Sequence, residues 1–148
     1  MSETYSVPLY AKGWWSTNAP EASRWLAYAL SDLKAARKLL EEPDYYPRQV
    51  CFLAQQSAEK ALKAIFVLLE EDFPYTHDLD HLRESVPADW RVKTEFPQLY
   101  GLSHWAVESR YPGELPGVVY SDAQAALLLA EAIYLSVAED IQYHLRIT

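Results

Sequence analysis

A chain of 148 residues fits one domain built around a single core. Half of the residues are hydrophobic and 14% are aromatic, which excludes a disordered chain. The net charge of −8 excludes a general nucleic-acid coat.

The charge is uneven. Residues 1–63 hold 8 Lys/Arg against 7 Asp/Glu, and the remainder holds 5 against 14. A surface that seeks phosphate must therefore be local and drawn mainly from the first half. The lone Cys51 excludes an internal disulfide and a cysteine-based zinc site. Flanked by Val50 and Phe52, it reads as a small buried hydrophobe. Met1-Ser2-Glu3-Thr4 lacks the basic and apolar regions of a signal peptide, and no apolar run reaches membrane-spanning length. The expectation is a cytoplasmic protein without membrane attachment.

Residues 1–18 carry Tyr5, Tyr10, Trp14 and Trp15 without a helical period, and are expected to form an aromatic arm docked on a surface. Asn18, Pro20 and Glu21 then mark a helix start. Trp25, Ala29, Leu33, Ala36 and Leu40 define one face of that helix, which Pro43 stops. The segment Asp44-Tyr45-Tyr46-Pro47 opens a second helix expected to reach about Asp72. Its apolar stripe is Ala54, Ala58, Ala61, Ile65 and Leu68, and Gln56, Glu59, Lys60 and Lys63 make a polar stripe opposite. That polar stripe is either an ordinary solvated face with a Glu59/Lys63 pair, or an anion site.

Thr76 or Asp78 can cap a short third helix through Leu82 and Val86. A fourth helix is predicted from Thr94 to about Arg110, with Pro97 in its first turn and Leu99, Leu102, Trp105 and Ala106 on its apolar face. Pro112, Gly113, Pro116 and Gly117 end it. Ser121 and Gln124 form a capping-box pair for the last helix, whose stripe is Ala126, Ala130, Ile133, Val137, Ile141 and Leu145. No segment alternates strongly enough for a strand. Four substantial helices and one short one predict an all-α bundle with antiparallel neighbours.

Three polar clusters interrupt the packing pattern: Gln56/Glu59/Lys60/Lys63, then Thr76-His77-Asp78-Leu79, then Ser109-Arg110-Tyr111-Pro112. Lys60 and Lys63 offer point charges for phosphate, and Arg110 a planar fork. Tyr111 and Tyr75 offer ring faces for a base. Glu59 can hold a lysine in place or accept from a ribose or base, and Gln56 can donate and accept at once. Arg110 can equally serve as a helix-end cation. His77 and His81 with Asp78 and Asp80 invite a metal reading, but no second ligand pair exists, and Asp78 as an N-cap with His77 bonding into the loop is simpler. The chain has no G-x-S-x-G, no P-loop and no G-x-G-x-x-G, so a bound nucleotide must rest on helix side chains.

In order, Ala29-x-x-Asp32-Leu33-x-x-Ala36, Gln56-x-x-Glu59-Lys60-x-Leu62-Lys63-Ala64, His77-Asp78-Leu79 and Arg110-Tyr111-Pro112 resemble the HEPN family (higher eukaryotes and prokaryotes nucleotide-binding) over roughly residues 22 to 145. The resemblance implies an up-and-down four- or five-helix bundle over residues 19–148, behind the arm. It also implies a homodimer that binds a nucleotide or RNA phosphate; from the residues themselves, no cofactor or metal is expected. The partner it implies is a minimal nucleotidyltransferase, beside which this chain would be non-catalytic. The site residues expected on this basis are Gln56, Glu59, Lys60, Lys63, His77, Asp78, Arg110 and Tyr111. The convergence of Lys60, Lys63 and Arg110 on one hollow is the central expectation. Many toxins of the family cleave RNA with an R-x(4–6)-H motif, and no arginine here has a histidine at that spacing. Ribonuclease activity is therefore disfavoured, and a purely structural dimerisation module without ligand is the third reading.

Overall fold

The computed structural model describes residues 18–42, 46–108 and 117–147. The expected arm, including Trp14 and Trp15, lies outside the described residues, as do Arg110 and Tyr111. Every regular element among the described residues is helical: α1 (Ala19–Glu41), α2 (Pro47–Leu69), α3 (Leu79–Glu84), α4 (Val92–Glu95), α5 (Tyr100–Ser103), α6 (Trp105–Glu108) and α7 (Tyr120–Ile147). This is the helical bundle expected. No described helix is long and apolar enough to cross a membrane.

The three long helices form the frame, with α1, α2 and α7 in mutual contact. Small residues make the close approach possible: Ala29 and Ala36 on α1, Ala54, Ala58, Ala61 and Ala64 on α2, and Ala123 and Ala130 on α7 are all buried. Ser57 Oγ donates to the Ala29 carbonyl at 2.8 Å, so even a polar group in this seam has a backbone partner. Burial extends well beyond the predicted stripe of α2, reaching Gln55, Ser57, Glu59, Leu62 and Phe66, because α2 is the central helix. Cys51 is buried, as its neighbours suggest; burial first, and then the Asp122 charge, pushes its thiol up to about 12.

The helix ends follow local chemistry. Pro20 and Pro47 occupy first turns, where a missing N–H costs nothing. Asn18 does not cap α1 with its side chain; its Nδ2 donates across to the Val67 carbonyl at 3.0 Å. Helix α2 ends before Asp72 because Glu70 turns into the left-handed region (φ 58°) and Glu71 N–H closes onto the Phe66 carbonyl at 2.9 Å. Asp78 caps α3, accepting from Asp80 and His81 N–H. In α7 the start falls before Ser121, and Asp122, not Gln124, reaches back to the Val119 N–H at 3.1 Å.

The predicted fourth helix is broken into α4, α5 and α6. Phe96, next to Pro97, leaves the helical region (φ −127°, ψ 80°), since a following proline disfavours the α conformation. Side chains then take up the backbone groups that a continuous helix would have paired. Asp80 Oδ1 accepts from Leu99 N–H at 2.7 Å, and the buried Arg83 donates to the Phe96 carbonyl at 2.8 Å. Leu99, Leu102 and Ala106 still reach the core. Their spacing is helical, and Pro97 interrupts the backbone without moving the face. Arg91 anchors this stretch to α7, with its N–H and Nε on the two oxygens of Asp140 at 2.8 and 2.7 Å.

Candidate polar site on the central helix

The polar residues of α2 do not form one solvated face. Glu59 is only 6% exposed, and its carboxylate gathers three donors. Oε1 accepts from Gln55 Nε2 at 3.0 Å and meets His77 Nδ1 at 2.9 Å; Oε2 accepts from Lys63 Nζ at 2.7 Å. Burial alone would raise the Glu59 carboxyl. Hydrogen bonds from Lys63, His77 and Gln55, together with the Lys63 charge, outweigh it and hold the group below its ordinary value. The i, i+4 spacing places Gln55, Glu59 and Lys63 in one row, and the chain reversal after Glu70 brings His77 back against it. Gln55 also donates to the His77 carbonyl at 3.2 Å, and Gln56 Nε2 donates to Gln55 Oε1 at 2.7 Å. Lys63 Nζ stands 4.9 Å above the Phe73 ring, a second, cation–π contact.

Lys60 leaves this row and bonds Asp32 of α1 through Nζ to Oδ2 at 2.7 Å. The two lysines thus hold separate carboxylates and do not converge. Of the eight expected site residues, Gln56, Glu59, Lys63 and His77 come together; Lys60 turns to α1, Asp78 serves the α3 cap, and Arg110 and Tyr111 are outside the described residues. Tyr75, considered for base stacking, is fully exposed. Among the described residues no group of three or more His, Cys, Asp or Glu is arranged to hold a metal ion.

A groove of about 340 Å³ lies beside Lys60, lined also by Glu21, Arg24, Trp25 and Tyr28 of α1. Tyr28 lines the groove and is 65% exposed, so its ring is reachable from solvent. Trp25 meets Phe73 edge-on at 5.7 Å, so the groove and the Glu59 cluster share a wall of aromatic rings. Arg24 pairs with Glu21 on an exposed helix surface, a weak tie that a ligand anion can replace.

Gln55, Asp32, Arg24, Trp25 and Tyr28 were missed as site residues from sequence. Asp32 sits within the Asp32-Leu33 step, and its partner Lys60 lies 28 positions away, a pairing that only the α1–α2 packing reveals. Gln55 reads as the neighbour of Gln56 until Glu59 is seen to be buried. Tyr28 and Arg24 carry no signal beyond lying off the apolar stripe.

An all-helical bundle with a polar row buried in its central helix defines the class. The chain matches the HEPN domain profile over residues 22–141 and belongs to the HEPN-domain family. It is also similar to TT1696 from Thermus thermophilus, a crystal structure that it matches at 30% identity and a TM-score of 0.70. The match covers 80% of this chain and 96% of that one. No curated protein matches the chain.

Proposed function

We propose that this chain binds a nucleotide, or the phosphates of a nucleic acid, in the groove between α1 and α2. One observation carries the reading: two aromatic faces, Trp25 and Tyr28, and two cations, Arg24 and Lys60, border one groove of nucleotide-sized volume. A base stacks on Tyr28, and phosphate draws Arg24 away from Glu21 while Asp32 keeps Lys60 aimed. Lys63, held over Phe73 by Glu59, supports the shared wall, and Gln56 and His77 belong to the same polar row. Arg110 and Tyr111, implied by the family resemblance, complete the set to be tested. The chain carries no nucleotidyltransferase motif, and it would act as the binding partner of such an enzyme, which would supply the chemistry.

The test is titration of ATP, GTP and a short RNA, followed by tryptophan fluorescence, at several salt concentrations. Affinity should fall as salt rises. Tyr28→Ala should weaken binding by about 1–3 kcal/mol, the usual value of a base stack. Wild-type affinity in both Tyr28→Ala and Lys60→Ala would move the site elsewhere. Absence of binding by every ligand would favour the interaction module. Cleavage of the RNA, lost in Arg110→Ala, would instead favour the ribonuclease.

A second observation favours self-association as part of the same function. Leu128 and Leu135, two turns apart on α7, are 62% and 55% exposed, and Ala125 and Ala132 beside them are exposed too. Such a stripe fits an isologous helix–helix contact between two copies.

A further inference from the structure

The Glu59–His77 contact has a direction that ligand binding does not use. Glu59, ionised, can only accept, so the shared proton sits on Nδ1 of His77. In the neutral ring the lone pair then belongs to Nε2, on the edge away from Glu59. The His77 side chain is 53% exposed, and Nε2 has no hydrogen-bond partner among the described residues. Its placement is firm at both ends: Gln55 bonds the His77 carbonyl, and Asp78, next in the chain, caps α3. No other described histidine is held this way. His104 Nε2 is buried without a partner among the described residues. His144 is stacked on Trp90 with its Nε2 on Asp89. His81 is exposed, with no carboxylate on its ring among the described residues.

We propose that His77 Nε2 is a nucleophile that accepts a phosphoryl group from a nucleoside triphosphate. The Nε2 lone pair forms a bond to the γ-phosphorus. The bond from that phosphorus to the β–γ bridging oxygen breaks, and its electron pair leaves with the nucleoside diphosphate. The Nδ1 proton stays on its hydrogen bond to Glu59, whose negative charge compensates the positive ring that the new bond creates. Glu59 is a positioning residue: it sets the tautomer and balances the charge. Lys63, on the other carboxylate oxygen, keeps Glu59 ionised. The nucleophile stands on this geometry; only the donor class rests on the nucleotide reading above, and the triphosphate meets Nε2 on its exposed edge, which does not line the α1–α2 groove.

The experiment treats the full chain with phosphoramidate, a small phosphoryl donor to imidazole, and separately with ATP or GTP and magnesium. Intact mass and peptide mapping at neutral pH then follow an acid-labile, alkali-stable phosphoryl group. His77 should label about tenfold faster than His81, the exposed histidine without a carboxylate partner. Glu59→Gln should bring the His77 rate down to that of His81, and His77→Gln should remove the fast label. Because Glu59→Gln also loosens the fold, ¹⁵N NMR of the neutral His77 ring in the wild type provides an independent measure: its single proton should sit on Nδ1 and leave Nε2 bare. Equal labelling of His77 and His81, or the opposite tautomer, would overturn the nucleophile. Labelling by phosphoramidate but by no triphosphate would overturn the donor class, and the same triphosphates binding without transfer would leave the binding reading intact.

Discussion

Glu59→Gln removes one charge from the middle of the polar row and almost no volume. In the wild type the carboxylate serves Lys63, Gln55 and His77 at once. A glutamine oxygen can keep one of those contacts, but the Lys63 ammonium, whose side chain is 12% exposed, loses its counter-charge. Removing one member of a buried pair typically costs about 3–5 kcal/mol. Lys63 retains the Phe73 ring and a narrow route to water, which returns about 1 kcal/mol, so the expected loss is about 2–4 kcal/mol. At about 2–4 °C per kcal/mol this is a fall of roughly 5–15 °C in Tm, read by far-UV circular dichroism and confirmed by urea unfolding. Adding Lys63→Met should restore most of it, because the charge left without a partner is then gone.

The pH dependence has a definite sign. Although burial opposes it, the three hydrogen bonds and the Lys63 charge leave the folded Glu59 carboxyl below its ordinary value. The unfolded chain therefore binds more protons at this site. The stabilisation is full above the ordinary glutamate value of about 4.3 and fades as pH falls through the lower folded value. The stability gap between wild type and Glu59→Gln should close in acid. A loss under about 1 kcal/mol at neutral pH, or a gap that stays constant into acid, would refute the account of Glu59 as a buried, charge-paired carboxylate.

Cys51, buried and with its thiol pushed up to about 12, should ignore a thiol reagent in the folded protein and titrate as one equivalent after unfolding; rapid labelling in native buffer would contradict this. Asp80→Ala deprives Leu99 N–H and the buried Arg83 of a shared acceptor, and should cost about 2–4 kcal/mol in urea unfolding. Leu135→Glu should leave the circular dichroism unchanged and convert a dimer to a monomer in light scattering, if the α7 stripe is where two copies meet.

The long helices were legible because apolar positions repeat at helical spacing for many turns and prolines mark their starts and stops. Pro20, Pro43 and Pro47 bracket α1 and the start of α2 closely. The stretch from Thr94 to about Arg110 reads as one helix in sequence because Leu99, Leu102 and Ala106 satisfy the same spacing whether or not the backbone between them is continuous. What breaks it is Pro97 together with Asp80 and Arg83, which come from another element. The polar row was legible as residues but not as an environment. Periodicity put Glu59 opposite the apolar stripe, as if α2 had a free side, whereas α2 is central and enclosed around Glu59. The partners that give the row its chemistry, Asp32 for Lys60 and His77 for Glu59, come from separate elements, and no local pattern encodes those distances.

The division of the stretch between Val92 and Glu108 into single turns has a kinetic side. Helices of four residues have hardly any internal ladder, and these rest on anchors from α2, α3 and α7. Their amide protons should exchange with solvent well before those of the long helices, and a fluctuation that lifts the stretch would uncover one flank of α2 while the α1–α2 pair stays shut.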